Sequence, residues 1–170
     1  MELLAEISDA DFGLKTGKTD GYKLRRTVRA VVTNPKNEIM FTYFRKTNDY
    51  LLPGGAVENE SLLECAEREV MEETGYRIKI ISDLGVIIEY RKRHRLVQIS
   101  HCFLSHIIGS PKPQRLTSGE KKAKLEVVWA PNVTAAIRLT EESKTTDYAA
   151  RFRNKRDSIF LHKSKSVMKT

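Results

Sequence analysis

"PGGAVENESLLECAEREVMEETGY", residues 53–76, holds seven glutamates and one arginine in a chain whose formal net charge is +8. A solvated helix face and a divalent-cation site both gather acid in this way, and spacing separates them. Ser61 and Glu64 have the S-x-x-E spacing of a capping box, which satisfies orphan N–H groups at a helix start. Gly75 stands where a left-handed residue ends a helix. The pattern predicts a helix over 62–74 with Leu63, Ala66 and Val70 on its apolar face. Glu69, Glu72 and Glu73 then fall at i, i+3 and i+4, on one face. Like charges at that spacing destabilise a helix by about 0.2–0.5 kcal/mol per pair. They also sit at the C-terminal end, where the macrodipole disfavours anions. A bound Mg2+ or Mn2+ reverses both penalties, because hard cations take carboxylate oxygens, waters and substrate phosphates as ligands. Arg68 lies four residues from both Glu64 and Glu72 and can pair with either. Before the helix, Pro53 stiffens the entry, and Gly54-Gly55 let the backbone approach a ligand, carbonyls toward a metal or N–H groups toward phosphate.

Outward from this helix the chain reads as strands. "KLRRTVRAVVTN" runs into a turn at "NPKN" and pairs with "EIMFTYFR" as a hairpin, and "YLLP" is a short strand before the glycines. "YRIKIISDLGVIIEYR" and "RLVQISHCFLSHIIG" form two more strands around a basic turn. "SPKPQRLTSGEKKAK" reads as a loop and "LEVVWA" as a strand. "NVTAAIRL" is a short helix capped by Asn132. From about Thr145 the tail is helical, with Tyr148, Phe152, Ile159 and Phe160 on one face. Residues 1–21 show no clear period and read as an N-terminal arm, leaving residues 22–170 as a single mixed α/β domain.

At 170 residues the chain is long enough for one core. No apolar run is long enough to span a membrane, and "MELLAEISDADFGLK" is acidic where a secretory signal is basic, so a cytoplasmic location is expected. Cys65 and Cys102 sit outside any CxxC pair and read as reduced, packed thiols. None of the four histidines has metal-ligand spacing. Positive charge collects in "EYRKRHR" (89–95) and from residue 151 on, where Arg151, Arg153, Lys155, Arg156, Lys163, Lys165 and Lys169 face one acid, Asp157. Such clusters attract nucleotides, nucleic acid or acidic partners when they are not simply solvated.

The 53–76 stretch resembles the signature of the Nudix (MutT-like) hydrolases, G-x5-E-x7-R-E-U-x-E-E-x-G-U with U bulky and apolar. Gly54, Glu60, Arg68, Glu69, Val70, Glu72, Glu73 and Gly75 fall on its positions, and Tyr76 takes the last U. Many members place the second of two glycines at the head of the pattern; "GGAVENE" is one residue shorter and fits only from Gly54. The resemblance implies an α/β/α sandwich around a central mixed sheet, and hydrolysis of a nucleoside diphosphate linked to another group X. It assigns Glu69 and Glu73 as main metal ligands with Glu72 a third, and Arg68 as the residue orienting a glutamate. In some members the general base comes from a distant loop; Glu120 in "LTSGEKK" is the candidate here, with Glu89 as another. Arg29 and Arg45, on strands flanking the site, are candidates for substrate phosphates along with Gly54 and Gly55. Tyr43, Phe44 and Tyr50 read as core in preference to base-stacking residues.

Marks of particular substrates lie outside the signature. The place where ADP-ribose hydrolases carry a proline reads Arg91-Lys92-Arg93, and neither the NADH-hydrolase run nor a coenzyme A signature is present. Elimination leaves a nucleoside triphosphate or its oxidised form. A 5′-end RNA pyrophosphohydrolase, gripping RNA with the basic clusters, is the second reading. A catalytically silent nucleotide sensor is the third, and it conflicts with the intact glutamates. Neither cysteine is placed for the proton transfer of the isoprenoid diphosphate isomerases that share the fold. Dimers are common in the family, so a homodimer exchanging the N-terminal arm is compatible with the sequence.

Overall fold

A computed structural model describes residues 1–168; Lys169, counted above in the basic tail, lies outside the described residues. The hairpin expected around "NPKN" is formed by β2 (Lys23–Thr33) and β3 (Ile39–Phe44). Asn34 Oδ1 accepts from the N–H groups of Lys36 and Glu38, and Asn37 takes the left-handed conformation (φ 59°) that closes the turn. The two strands share only the Thr33–Ile39 pair before they splay. Beyond that point β4 (Asp49–Leu51) pairs with β3, and β7 (Leu125–Ala130) takes the opposite edge of β3. The chain leaving β4 then crosses to β2: Ala30 N donates to Pro53 O, Val28 N to Gly55 O, and Val57 N to Arg26 O. Gly54 and Gly55 therefore sit in the fork between two diverging strands.

The two long strands around the basic turn, β5 (Arg77–Arg91) and β6 (Leu96–Ile108), are antiparallel, and β6 runs parallel to β2 from Lys23–Leu96 to Thr33–His106. Residues expected to be a featureless arm instead supply β1 (Leu3–Ser8), which lies parallel to β5 at the sheet edge. A parallel edge strand needs a distant partner to form, and that partner leaves no local mark on the sequence. The mixed sheet runs β1-β5-β6-β2-β3-β4 with β7 branching from β3.

Helix α1 (Leu62–Thr74) has the bounds and the caps that the sequence predicts: Ser61 Oγ accepts from Glu64 N, Ser61 N donates to Glu64 Oε2, and Gly75 is left-handed at φ 77°. It covers one face of the sheet, where Cys65, Ala66 and Val70 pack on Val28, Ala30, Val32 and Met40. Leu63, expected on that face, is 49 % exposed. The inward face is rotated toward Leu62, Cys65, Glu69 and Glu73, so it carries acid as well as hydrocarbon.

The opposite face is covered by α3 (Val133–Glu141), capped by Asn132 Oδ1 on Ala135 N, and by α4 (Tyr148–Met168). Phe152, Phe160 and Leu161 of α4 pack on Val31, Phe41 and Ile87. The expected α/β/α sandwich is thus formed. The segment read as a loop after β6 contains a short helix, α2 (Ser118–Ala123), started by a Thr117–Glu120 capping box.

The basic tail is not a free cationic surface. Lys155 pairs with Asp11 at 2.6 Å, Lys163 with Glu2 at 2.8 Å and Arg153 with Asp49 at 3.2 Å, while Arg151 donates to Phe12 O. Arg156 is fully buried. Lys155, Lys163 and Arg151 clamp the N-terminal residues 2–12 onto α4, and Arg153 ties α4 to β4. Within "EYRKRHR", Arg91 is buried against Glu89, and Lys92 Nζ donates to Lys15 O and Thr16 O. Cys65 and Cys102 are free, buried thiols. Among the described residues, no helix is long and apolar enough to cross a membrane.

Candidate active site

The fork brings Gly54-Gly55 against α1 and leaves no room for side chains there. A Cβ on Gly54, held at φ 139°, would lie 2.3 Å from Val28 O. One on Gly55 would lie 2.3 Å from the Glu69 carboxylate. The first glycine is fixed by strand packing and the second by an acidic side chain. Gly55→Ala is therefore expected to spare the fold while displacing Glu69, so that turnover falls by about 10–100-fold, as when a metal ligand loses its support. An unchanged kcat with an unchanged melting temperature would sink that assignment.

Arg68 is the hub of the acidic face. Its Nη1 donates to Glu69 Oε1 at 2.9 Å and to Glu72 Oε2 at 3.2 Å, its Nε and Nη2 bind Glu60, and Nη2 reaches Ala56 O. Glu64, the other partner open to it, is used by the cap. The planar fork of an arginine is what permits three carboxylates and a carbonyl at once. The Glu60 bond dominates the rise of the Arg68 pKa above its ordinary value.

Glu73 is buried, and its Oε2 accepts from Gly54 N at 2.9 Å. Burial pushes its carboxyl up to about 8, against the pull of Arg29 and the Gly54 amide; Glu69 and Glu120 push further in the same direction. Burial also raises Glu69, with Arg68 opposing and Glu72 adding repulsion. Arg29 is half-buried on β2 and donates from Nη1 to the Gly54 carbonyl; burial pulls its guanidinium down to about 10. Gly54 thus binds Glu73 through N–H and Arg29 through C=O, and the Gly55 carbonyl accepts from Val28 N.

The C-terminal end of α1, the wrong end for anions, is finished by the chain before α2. Arg115 N donates to Glu72 O at 2.8 Å, the Gln114 side chain to Glu73 O, and Lys112 N to Gly75 O. Those bonds satisfy carbonyls a helix end leaves orphaned. The same segment brings Glu120 close enough to raise Glu73 electrostatically. Glu120 Oε2 itself accepts from Thr117 N in the α2 cap.

Two residues read from the sequence as site candidates are held elsewhere. Arg45 is exposed and makes a bidentate pair with Glu126 of β7, both bonds 2.9 Å, so its guanidinium is committed away from the glutamates. Glu89 is fully buried, bound by Arg91, Gln98 and Ser100 on the α4 side of the sheet, away from the α1 glutamates. Tyr43 and Tyr50 stack on each other at 4.6 Å, and Tyr50 packs edge-on against core Phe41. Tyr76, at the last apolar position of the signature, packs edge-on against Trp129. Asp157 went unread as a site neighbour: it is fully buried and its Oδ2 accepts from Leu52 N, two residues before Gly54.

The donor set suits a hard divalent cation. Glu69, Glu72 and Glu73 offer only oxygen, and Glu69 is repelled by Glu72 and Glu73 by Glu69; Glu73 and Glu69 lie against Gly54 and Gly55, and the side chain missing at Gly55 leaves Glu69 its place. As they stand, Glu69, Glu72 and Glu73 are not gathered around one point: among the described residues, no three His, Cys, Asp or Glu side chains are arranged to hold a metal ion. Arg68 and the Gly54 amide hold these carboxylates instead.

Comparison with known proteins agrees with this geometry. A Bacillus subtilis (strain 168) protein, provisionally named an 8-oxo-dGTP diphosphatase, is 31% identical over 99 residues, covering 58% of this chain and 62% of that protein. The chain thus spans about three fifths of the curated relative it matches. Among solved structures, a NUDIX hydrolase from Nitrosomonas europaea superposes with TM-score 0.59 at 16% identity, covering 79% of this chain and 89% of that one. A MutT protein from Methanosarcina mazei Go1 gives TM-score 0.55 at 23% identity, covering 81% and 94%. At these identities the likeness is one of fold. The NUDIX domain profile matches residues 23–151, from the start of β2 into α4. With the profile covering most of its length and the signature folded as described, the chain belongs to the NUDIX family.

Proposed function

We propose that the protein hydrolyses a nucleoside diphosphate linked to X, with nucleoside triphosphates and oxidised deoxynucleoside triphosphates as the substrate class. The observation that carries this reading is the placement of Glu73 on Gly54 N–H and of the Glu69 carboxylate beside Gly55, with Arg68 tying Glu69 to Glu72 and Arg29 bracing the Gly54 carbonyl. The substrate class draws further support from the name of the Bacillus subtilis relative. Glu69 and Glu73 would hold Mg2+ or Mn2+, with Glu72 as a third ligand. Such an ion, when bound, neutralises the diphosphate and lowers the pKa of an attacking water.

The chain's own residues do the rest. Arg68 keeps Glu69 and Glu72 in fixed orientations, so no reorganisation is needed when substrate arrives. Arg29 holds the Gly54 carbonyl and places positive charge beside the site. Glu72 has the most open carboxylate of the three, with 39 % side-chain exposure against 15 % for Glu69, which suits it to take the proton from water. Glu120, whose charge reaches Glu73, is the second acceptor. Arg153, Lys155 and Lys163 are paired internally, which takes three of the tail cations from the RNA-end reading, while Arg93 and Arg95 of the basic turn stay exposed.

The test is release of phosphate and pyrophosphate from a panel with Mg2+, with Mn2+ and with chelator. The panel holds ordinary and oxidised nucleoside triphosphates, ADP-ribose, sugar nucleotides and triphosphorylated RNA. The expected result is metal-dependent turnover, highest on a triphosphate and abolished by chelator. Tight nucleotide binding without turnover on any substrate would overturn the reading in favour of a sensor.

A further inference from the structure

Beneath α4 lies a buried charged network that the reaction scheme above leaves unused. Arg156, Asp157 and Glu89 are all fully buried. Arg156 Nε donates to Asp157 Oδ1 at 2.8 Å, and its Nη1 lies 3.7 Å from Glu89 Oε2. Glu89 in turn accepts from Gln98 at 2.6 Å. A packed helix would be held as well by hydrocarbon, since replacing buried ion pairs with apolar groups of similar volume is often neutral or stabilising. The network therefore calls for a reason beyond stability.

Its free end supplies one. Asp157 Oδ2 accepts from Leu52 N at 3.0 Å. Leu52 is followed by Pro53, whose fixed φ transmits the placement, and then by Gly54, whose N–H donates to Glu73 and whose carbonyl accepts from Arg29. The segment crosses between two strands at this point and cannot draw on a regular ladder from β3. We propose that Asp157 is a positioning residue, fixing the Leu52–Gly55 segment from α4 so that Gly54 N–H and the Glu73 carboxylate stay aligned for cation binding. The chain of contacts runs Glu89–Arg156–Asp157–Leu52–Gly54–Glu73, linking the two faces of the sheet through its fork. This inference rests on the reading that Glu73 holds the cation.

The experiment uses the full chain with two changes, Asp157→Asn and the double Arg156→Met/Asp157→Leu. The double variant removes both charges together and keeps volume, so its melting temperature should fall less than that of Arg156→Ala, the remaining loss coming from the Leu52 N–H left without its acceptor. Three quantities are read: hydrogen exchange of the Leu52 and Gly54 amides, binding of Mn2+ alone, and kcat against KM on the best substrate. In the double variant both amides exchange at least about 10-fold faster, and Mn2+ binds about 10–100-fold more weakly, as for loss of an outer partner of a metal site. Asp157→Asn, which keeps a neutral acceptor, falls between native and double because a charge-assisted bond is about twice as strong as a neutral one. The loss in turnover appears in kcat, with KM little changed.

Native exchange at Leu52 and Gly54 with native Mn2+ affinity, in either variant that folds, overturns the proposal. Should the double variant not fold, Asp157→Asn decides alone. A native chain that binds Mn2+ no better than Glu73→Gln does would mark failure of the metal-site reading instead, and the amide exchange would still decide whether Asp157 places the segment.

Discussion

Glu69→Gln and Glu73→Gln should each lower metal-dependent kcat/KM by on the order of 10³-fold, several kcal/mol of transition-state stabilisation, while leaving the protein folded. Neither change removes a cap, a glycine or a core contact. In Glu69→Gln the amide keeps the shape of a side chain that Arg68 holds at 2.9 Å, and loses the charge a cation needs. Glu73 is buried and its carboxyl is pushed up to about 8, so a neutral amide is easier to bury there than a carboxylate, and Gly54 N–H still meets a carbonyl oxygen. Each substitution also removes one member of a repelling set on α1. The melting temperatures should therefore equal or exceed the native value while turnover collapses, the trade expected where acid is concentrated for chemistry. A steady-state assay with Mn2+ beside a thermal melt reads both quantities. Native turnover in either variant would remove that residue from the cation site; loss of folding would mean that the carboxylates are structural.

The sequence made the local parts of this site legible and left the distant ones hidden. Ser61, Glu64 and Gly75 bound α1 through contacts within a few residues, so the helix ends could be read directly. The i, i+3, i+4 glutamates needed only helix geometry. Which face turns inward was harder: periodicity pointed to Leu63, but the fork and its glycines accept carboxylate, and Leu63 is left outside. β1 depends on a parallel partner far along the chain, so its short apolar run looked like an arm. The tail cations looked solvated because most lysines and arginines are, whereas their partners, Asp11, Glu2, Asp49 and Glu89, are scattered through the sequence. Arg45 shows the same limit, since β3 brings it beside Glu126 only when β7 folds back.

The largest effect on stability should come from Arg156→Ala. Arg156 is the largest fully buried side chain, set between two fully buried carboxylates. Removing it leaves Asp157 without its cation and Glu89 with Arg91 alone, in a medium that cannot solvate a bare carboxylate, and opens a void under α4. Breaking a buried pair by deleting one partner costs about 3–5 kcal/mol, a large share of the roughly 5–15 kcal/mol by which a domain is held folded. Arg156→Lys should recover only part of this, because a point charge cannot serve Asp157 through Nε while lying near Glu89 through Nη1. Arg45→Ala is the control: it deletes an equally well-formed arginine–carboxylate pair that is exposed to water, and its denaturation midpoint should not move measurably. Urea titrations of the three variants at constant slope order them directly. If Arg156→Ala unfolds at the native midpoint, then either water reaches the carboxylates or they take up protons at little expense, and Asp157 does not depend on Arg156 for its charge to be buried.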